Sequence, residues 1–221
     1  MRRILPCLLA AGAVLVPVAT SAAQKPPKPP GTQGVTLQPS AAQLTFTQPL
    51  TSKVSVKGVK APVNVTLQRR PSTSQTWSDV ETKPTDAKGD AAFISRPRRN
   101  DYYRAVARTT PEQISAESLV KVAPLVGFRV SDSTPRAGSR VRFSGTVRPR
   151  HTGRRVFVQR KVGTGSFVTI RRTTLRAATS TSSRYSLRVR VRRTATYRVR
   201  ILGHADHAMG ISRARVLTPH G

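Results

Sequence analysis

The sequence predicts an all-β chain folded as two tandem antiparallel β-sandwiches, and three observations carry that expectation. From Gly34 onward, short segments alternate apolar and polar residues, with no stretch of helical periodicity long enough to matter. Clusters of Pro, Gly, Ser, Thr and Asp interrupt these segments about every 8 to 12 residues, the turn spacing of a sandwich. Val65-Thr66-Leu67-Gln68-Arg69-Arg70 returns as Val156-Phe157-Val158-Gln159-Arg160-Lys161. A self-similarity of about 90 residues is too long for a solenoid unit and fits one small β domain.

The first 33 residues stand outside that pattern. Arg2 and Arg3 form a basic start, 4–18 is almost wholly apolar, and Ser21-Ala22-Ala23 supplies small residues for cleavage, so 1–23 is expected to be a secretory signal peptide. An uncleaved anchor is the competing reading, since 4–23 just reaches the roughly 20 residues of a membrane span. Pro6, Pro17 and the small, polar end favour cleavage. Cys7, the single cysteine, falls inside this segment, so the mature chain is expected to have no disulfide framework and no thiol chemistry. Residues 24–33, with Lys25-Pro26-Pro27-Lys28-Pro29-Pro30, read as an extended proline-rich spacer. No second apolar run follows, and no integral membrane span is expected after cleavage.

The first domain, 34–123, is expected to place strands near 35–38, 43–46, 53–58, 63–70, 76–82, 91–95, 102–108 and 115–122. Val54, Val56, Val63, Val65, Leu67, Phe93, Tyr103 and Ala105 share the inward parity. Asp86-Ala87-Lys88-Gly89-Asp90 is a turn before the Phe93 strand. Val122-Ala123-Pro124-Leu125 joins the units with almost no linker, so the joint should be stiff. The second domain, 124–218, is expected to place strands near 126–130, 139–147, 154–161, 166–174, 184–191, 195–202 and 211–217. Aligning the copies sets Val65 against Val156, Leu67 against Val158, Trp77 against Phe167, Phe93 against Tyr185, Tyr103 against Tyr197 and Arg104 against Arg198.

That order of residues resembles the Ig-like repeat domains of secreted and surface proteins of high-GC Gram-positive bacteria. The resemblance covers nearly all of 35–218 and implies fibronectin-type-III-like sandwiches acting as spacers or adhesion modules. The second unit departs from the pattern where 177–183 replaces the Asp-Gly turn, and a looser hairpin is expected there.

Charge is the loudest compositional feature, with a formal net of +30. Residues 125–221 carry 22 Lys and Arg against Asp132 and Asp206 alone, whereas 35–124 carry 13 against 7. Net charge speaks to partners rather than to fold. In Arg184-Tyr185-Ser186-Leu187-Arg188-Val189-Arg190-Val191-Arg192, a period of two sends Tyr185, Leu187, Val189 and Val191 to one face and Arg188, Arg190 and Arg192 to the other. The same split exposes Arg140 and Arg142 around Val141, and Arg198 and Arg200 around Val199. These seven arginines are the candidate polyanion-binding residues. The Arg140 and Arg188 strands should share a sheet, with the Arg198 strand in the opposite one.

Like charges across strands cost roughly 0.2–1 kcal/mol per pair, and two acids cannot relieve so many. A bound polyanion can, by counterion release. The competing reading is that Arg is tolerable on a solvated strand face and reflects coding bias. A stacking platform for single strands would need exposed aromatics, but Phe143, Tyr185 and Tyr197 have inward parity.

His204-Ala205-Asp206-His207 is the one cluster with ligand chemistry in the sequence. It lacks a nearby third anchor, because His151 and His220 have no predictable proximity, so His204, Asp206 and His207 are weak metal candidates and no cofactor is expected. Trp77 reads as packing. Asp79, Glu81, Asp86 and Asp90 crowd one solvated hairpin region, and neither a nucleophile elbow nor a phosphate loop is present, so no enzyme is expected. The functional expectation is a secreted or loosely wall-associated binding protein. Its second domain would contact anionic cell-wall polymer, acidic polysaccharide or extracellular DNA without sequence preference. The alternative is a structural spacer or protein–protein interaction module with incidental charge.

Overall fold

The computed structural model describes residues 34–58, 60 and 62–221; the expected signal peptide and the whole of the spacer lie outside them. Within 34–123 the strands are β1 (Val35–Pro39), β2 (Gln43–Thr45), β3 (Leu50–Val56), β4 (Asn64–Pro71), β5 (Ser78–Pro84), β6 (Asp90–Ser95), β7 (Asp101–Ala107), β8 (Gln113–Ile114) and β9 (Ser118–Ala123). One sheet runs β1-β3-β6 and faces a second running β2-β9-β7-β4-β5, with β8 also on β7. After Pro124 come β10 (Leu125–Val126), β11 (Arg129–Val130), β12 (Arg140–Arg148), β13 (Arg155–Lys161), β14 (Val168–Thr174), β15 (Arg176–Thr179), β16 (Ser182–Arg190), β17 (Ala195–Ile201), β18 (Gly210–Ile211) and β19 (Arg215–Leu217). They form sheets β10-β12-β16-β15 and β14-β13-β17-β18, with β11 on β12 and β19 on β17.

The chain is therefore all-β, in two Ig-like sandwiches whose strands pair antiparallel, apart from the parallel β2–β9 pair. Two separate cores fill them, and the period-two pattern explains both. Val65, Leu67, Phe93 and Tyr103 are fully buried in one, and Phe143, Val156, Val158, Tyr197 and Val199 in the other. In the second core, Phe143 stands edge-on to both Phe128 and Tyr197, each at 5.2 Å between ring centroids.

Four elements differ from the sequence expectation. Residues 177–183, expected as a loose turn, hold a strand: β15 closes on β16 with Arg176 opposite Arg184 and Thr179 opposite Ser182. Thr179 Oγ1 and Ser182 Oγ lie 2.7 Å apart and tie the hairpin where a glycine turn would otherwise sit. The last strand of each unit is broken in two by a serine. The amide of Ala105 donates to Ser115 Oγ and that of Val199 to Ser212 Oγ, both at 2.9 Å, so a hydroxyl replaces a ladder carbonyl in each copy. The first strand of the second unit breaks at Gly127, whose carbonyl accepts the Tyr185 hydroxyl at 2.7 Å. That close approach requires glycine at 145, because a Cβ there would overlap the Gly127 oxygen.

Candidate functional site

β12 and β16 pair in register so that Arg140 lies opposite Arg190 and Arg142 opposite Arg188, with Val141 opposite Val189 turned into the core between them. All four arginines are exposed. Arg192, just past β16, joins Arg140, Arg188 and Arg190 in one open groove that also takes in Arg160 and Arg171. Among the described residues, every Lys or Arg ion pair lies in the first domain: Arg70–Glu117, Lys83–Glu81, Arg99–Asp101 and Arg108–Glu112. The opposed arginines of the second domain thus face each other with no carboxylate to neutralise them.

Arg198 and Arg200 do not join this face. They sit half-buried on β17 in the opposite sheet. The Arg198 guanidinium lies 3.8 Å over the Phe167 ring and its Nε donates to Gln159 Oε1 at 2.9 Å. Arg104 does the same in the first domain, 4.2 Å over Trp77 and 2.8 Å from Gln68 Oε1. The repeated Gln, aromatic and Arg positions are therefore a packing motif present in both copies. Arg200 lies 5.8 Å from the Phe157 ring centre. Of the seven arginines singled out in the sequence, five occupy one surface and two are engaged in packing. Asp86 is likewise occupied, its carboxylate accepting the amides of Lys88 and Asp90 at 2.8 and 2.9 Å, and the Asp90 amide above all holds it below the usual carboxylate range.

The second locus lies where the two sandwiches meet. Loop 202–209 folds over the first domain, with His204 and His207 exchanging backbone hydrogen bonds across a tight turn. Ala205 O accepts from Asn100 Nδ2 at 2.9 Å and from Ser72 Oγ at 2.8 Å, and Asp206 O accepts the Asn100 amide at 2.7 Å. Asn100 Oδ1 takes the Val122 amide at 2.8 Å, and the Val122 carbonyl takes the Ala208 amide at 2.9 Å. The His204, Asp206 and His207 group noted in the sequence is thereby pinned to the first domain, and the joint is bonded on both sides of Val122.

His151, which the sequence left isolated, completes this group. It is buried in the loop between β12 and β13, with its amide donating to Ser183 Oγ at 2.8 Å. Its ring lies 4.8 Å from that of His207 and 5.3 Å from that of His204, centroid to centroid. Burial holds all three imidazoles below the ordinary histidine range, and His207 is pushed down to about 4. The sequence signal for His151 was topological: in an Ig-like sandwich the second-to-third and sixth-to-seventh strand loops share one end. His220 stands apart, bridging to Arg136.

No protein-family model and no curated protein matches the chain. Among solved structures it is similar to Salmonella alpha-2-macroglobulin reacted with methylamine, at 12% identity over 84% of this chain and a TM-score of 0.35. It is similar also to the native conformation of E. coli alpha-2-macroglobulin, at 12% identity over 84% of the chain and a TM-score of 0.34. The chain spans 16% of the length of each.

Proposed function

We propose that this is a secreted, non-enzymatic binding protein, one of the Ig-like repeat proteins it resembles in sequence. Its second domain holds anionic polymers on the β12–β16 face. One observation carries the reading: Arg140 opposes Arg190, and Arg142 opposes Arg188, without an acid in reach. Each such pair costs roughly 0.2–1 kcal/mol in the free protein, and a polyanion lying along the face removes that cost while releasing its own counterions. Arg140, Arg142, Arg188, Arg190 and Arg192 are the contact residues. The absence of aromatic side chains among them fits charge recognition without base stacking.

The test is a salt titration of the full purified chain against duplex DNA, heparin and a phosphate-bearing wall polymer. Affinity is expected to fall log-linearly with salt, with a slope of about −0.9 per phosphate contacted on duplex DNA. Arg142→Glu with Arg190→Glu should weaken binding at least tenfold. No binding to any polymer at about 50 mM salt, where non-specific affinity is strong, would overturn the proposal.

A further inference from the structure

The basic face makes no use of the three histidines at the domain junction. One ligand atom from each of His151, His204 and His207 lies within 4.8 Å of the other two. His151 Nε2, His204 Nε2 and His207 Nδ1 are buried and have no hydrogen-bond partner. The opposite nitrogens of two of the rings are committed: His151 Nδ1–H donates to Pro149 O at 2.7 Å and His207 Nε2–H to Arg98 O at 2.9 Å. A carbonyl only accepts, so these bonds fix the tautomers and leave the lone pairs of His151 Nε2 and His207 Nδ1 free. Metal-binding imidazoles are held in this way, with the far N–H on a carbonyl or carboxylate.

We propose that His151, His204 and His207 form a three-imidazole site for a divalent transition ion of the zinc type, with the fourth position open to solvent or an anion. Ligand type selects the ion. Calcium and magnesium require oxygen donors, whereas neutral imidazole suits zinc and its first-row neighbours. Arg154 and the other cleft arginines disfavour a cation held by charge alone, so the bonding must come from nitrogen, and they favour an anionic fourth ligand.

A bound ion would hold the three ligand atoms, which lie within 4.8 Å of one another, closer together. Nitrogens on a tetrahedral zinc stand about 3.3 Å apart, given bond lengths of about 2.0 Å, so the rings draw inward on binding. His204 completes the change. Its Nδ1 accepts the Asp206 amide N–H at 3.3 Å and lies 3.9 Å from Asp206 Oδ2. On loading, the ring proton shifts from Nε2 to Nδ1, which gives up the Asp206 amide and donates a hydrogen bond to the Asp206 carboxylate, closing by about 1 Å to hydrogen-bond distance. Arg98 belongs to the first domain, so the carbonyl that orients His207 ties occupancy of the site to a closed joint.

The test takes the full chain, stripped with a chelator, and titrates it with Co²⁺ and then Zn²⁺. One equivalent of Co²⁺ should bind with the intense visible absorption of a four-coordinate site with three imidazole ligands, and zinc should displace it while magnesium and calcium do not. His151→Asn and His207→Asn should each weaken binding more than 100-fold. Asp206→Asn should weaken it by about 10- to 100-fold, as loss of an orienting partner does, and His220→Asn should leave it unchanged. Long-range proton–nitrogen spectra of the unmutated chain give a readout that does not depend on variant folding. Zinc should shift His151 Nε2 and His207 Nδ1 and leave the His220 ring in place. Absence of stoichiometric binding, full retention in His151→Asn, or unshifted His151 and His207 nitrogens would each overturn the assignment.

Discussion

Arg198 donates from Nε to Gln159 Oε1 at 2.9 Å while its guanidinium plane lies on Phe167, and Arg104, Gln68 and Trp77 repeat the arrangement in the first domain. The stack needs a planar fork, which Lys cannot supply. Gln159→Ala is expected to destabilise the second domain by about 1.5–3 kcal/mol, the worth of a hydrogen bond to a charged group. Trp77 is the single tryptophan, so its emission follows the first domain alone. The variant should lower the unfolding midpoint seen by circular dichroism while the Trp77 transition stays in place; movement of both together would contradict a local stack.

Opposed like charges on β12 and β16 give an effect of two signs. Arg190→Glu should raise the stability of the second domain by roughly 0.2–1 kcal/mol, by turning the contact with Arg140 from repulsive to attractive. It should weaken polyanion binding at the same time. Stability by urea titration and affinity at fixed salt, measured on the same preparation, check both halves. A variant that loses stability and affinity together would point to misfolding instead.

The Tyr185 hydroxyl and Gly145 share the space beneath the Gly127 carbonyl. Tyr185→Phe should cost about 1 kcal/mol as its hydrogen bond is lost. Gly145→Ala should cost more, about 1–3 kcal/mol, because the added methyl forces the strands apart. Equal effects in thermal melts would show that the sheet relaxes around the methyl.

Asp101 supplies a pH dependence. It is buried, with its nearest cation, Arg99 Nε, 3.7 Å away, and burial holds its carboxyl above the ordinary range against the pull of Arg69 and Arg99. The native state therefore binds a proton more tightly than the unfolded state does. Stability from this group is present below the unfolded value of about 3.9 and is lost as pH rises through the raised native value. Asp101→Asn should accordingly be more stable than the parent at neutral pH, with the difference in Trp77-detected urea midpoints shrinking as pH falls through that window. A gap that widens on acidification would reverse the sign.

Asn100→Ala removes the side-chain bonds to Ala205 O and from the Val122 amide. It leaves a buried amide unpaired at about 1–3 kcal/mol. The Trp77 and circular dichroism midpoints should both fall, since Asn100 bonds to residues of each domain; an unmoved Trp77 midpoint would contradict the bridge.

Much of the core was legible because a period of two is a geometric necessity of strands. Parity alone turns Val65, Leu67, Phe93 and Tyr103 inward, and they are buried. The opposed sheets of the Arg188 and Arg198 strands were legible too. What parity could not show was how a side chain is spent after it points outward. Arg188 and Arg198 have the same local pattern, and only Gln159 on the adjoining β13 and Phe167 just before β14 engage the second. The breaks at Ser115 and Ser212 were hidden because a hydroxyl substituting for a carbonyl leaves the apolar alternation intact. His151 was missed because 52 intervening residues separate it from His204; its partners are set by which loops share an end of the sandwich.

The bonds on either side of Val122 also bear on reach and leverage. With the Val122 amide given to Asn100, its carbonyl taken by Ala208 and the Ala123 carbonyl by Phe46, the backbone leading into Pro124 is tied to both domains. A polymer strand seated on β12 and β16 would therefore orient the first sandwich as well as tether it. The bonds at Ala205 and Val122 thus make the pair a bracket rather than beads on a string.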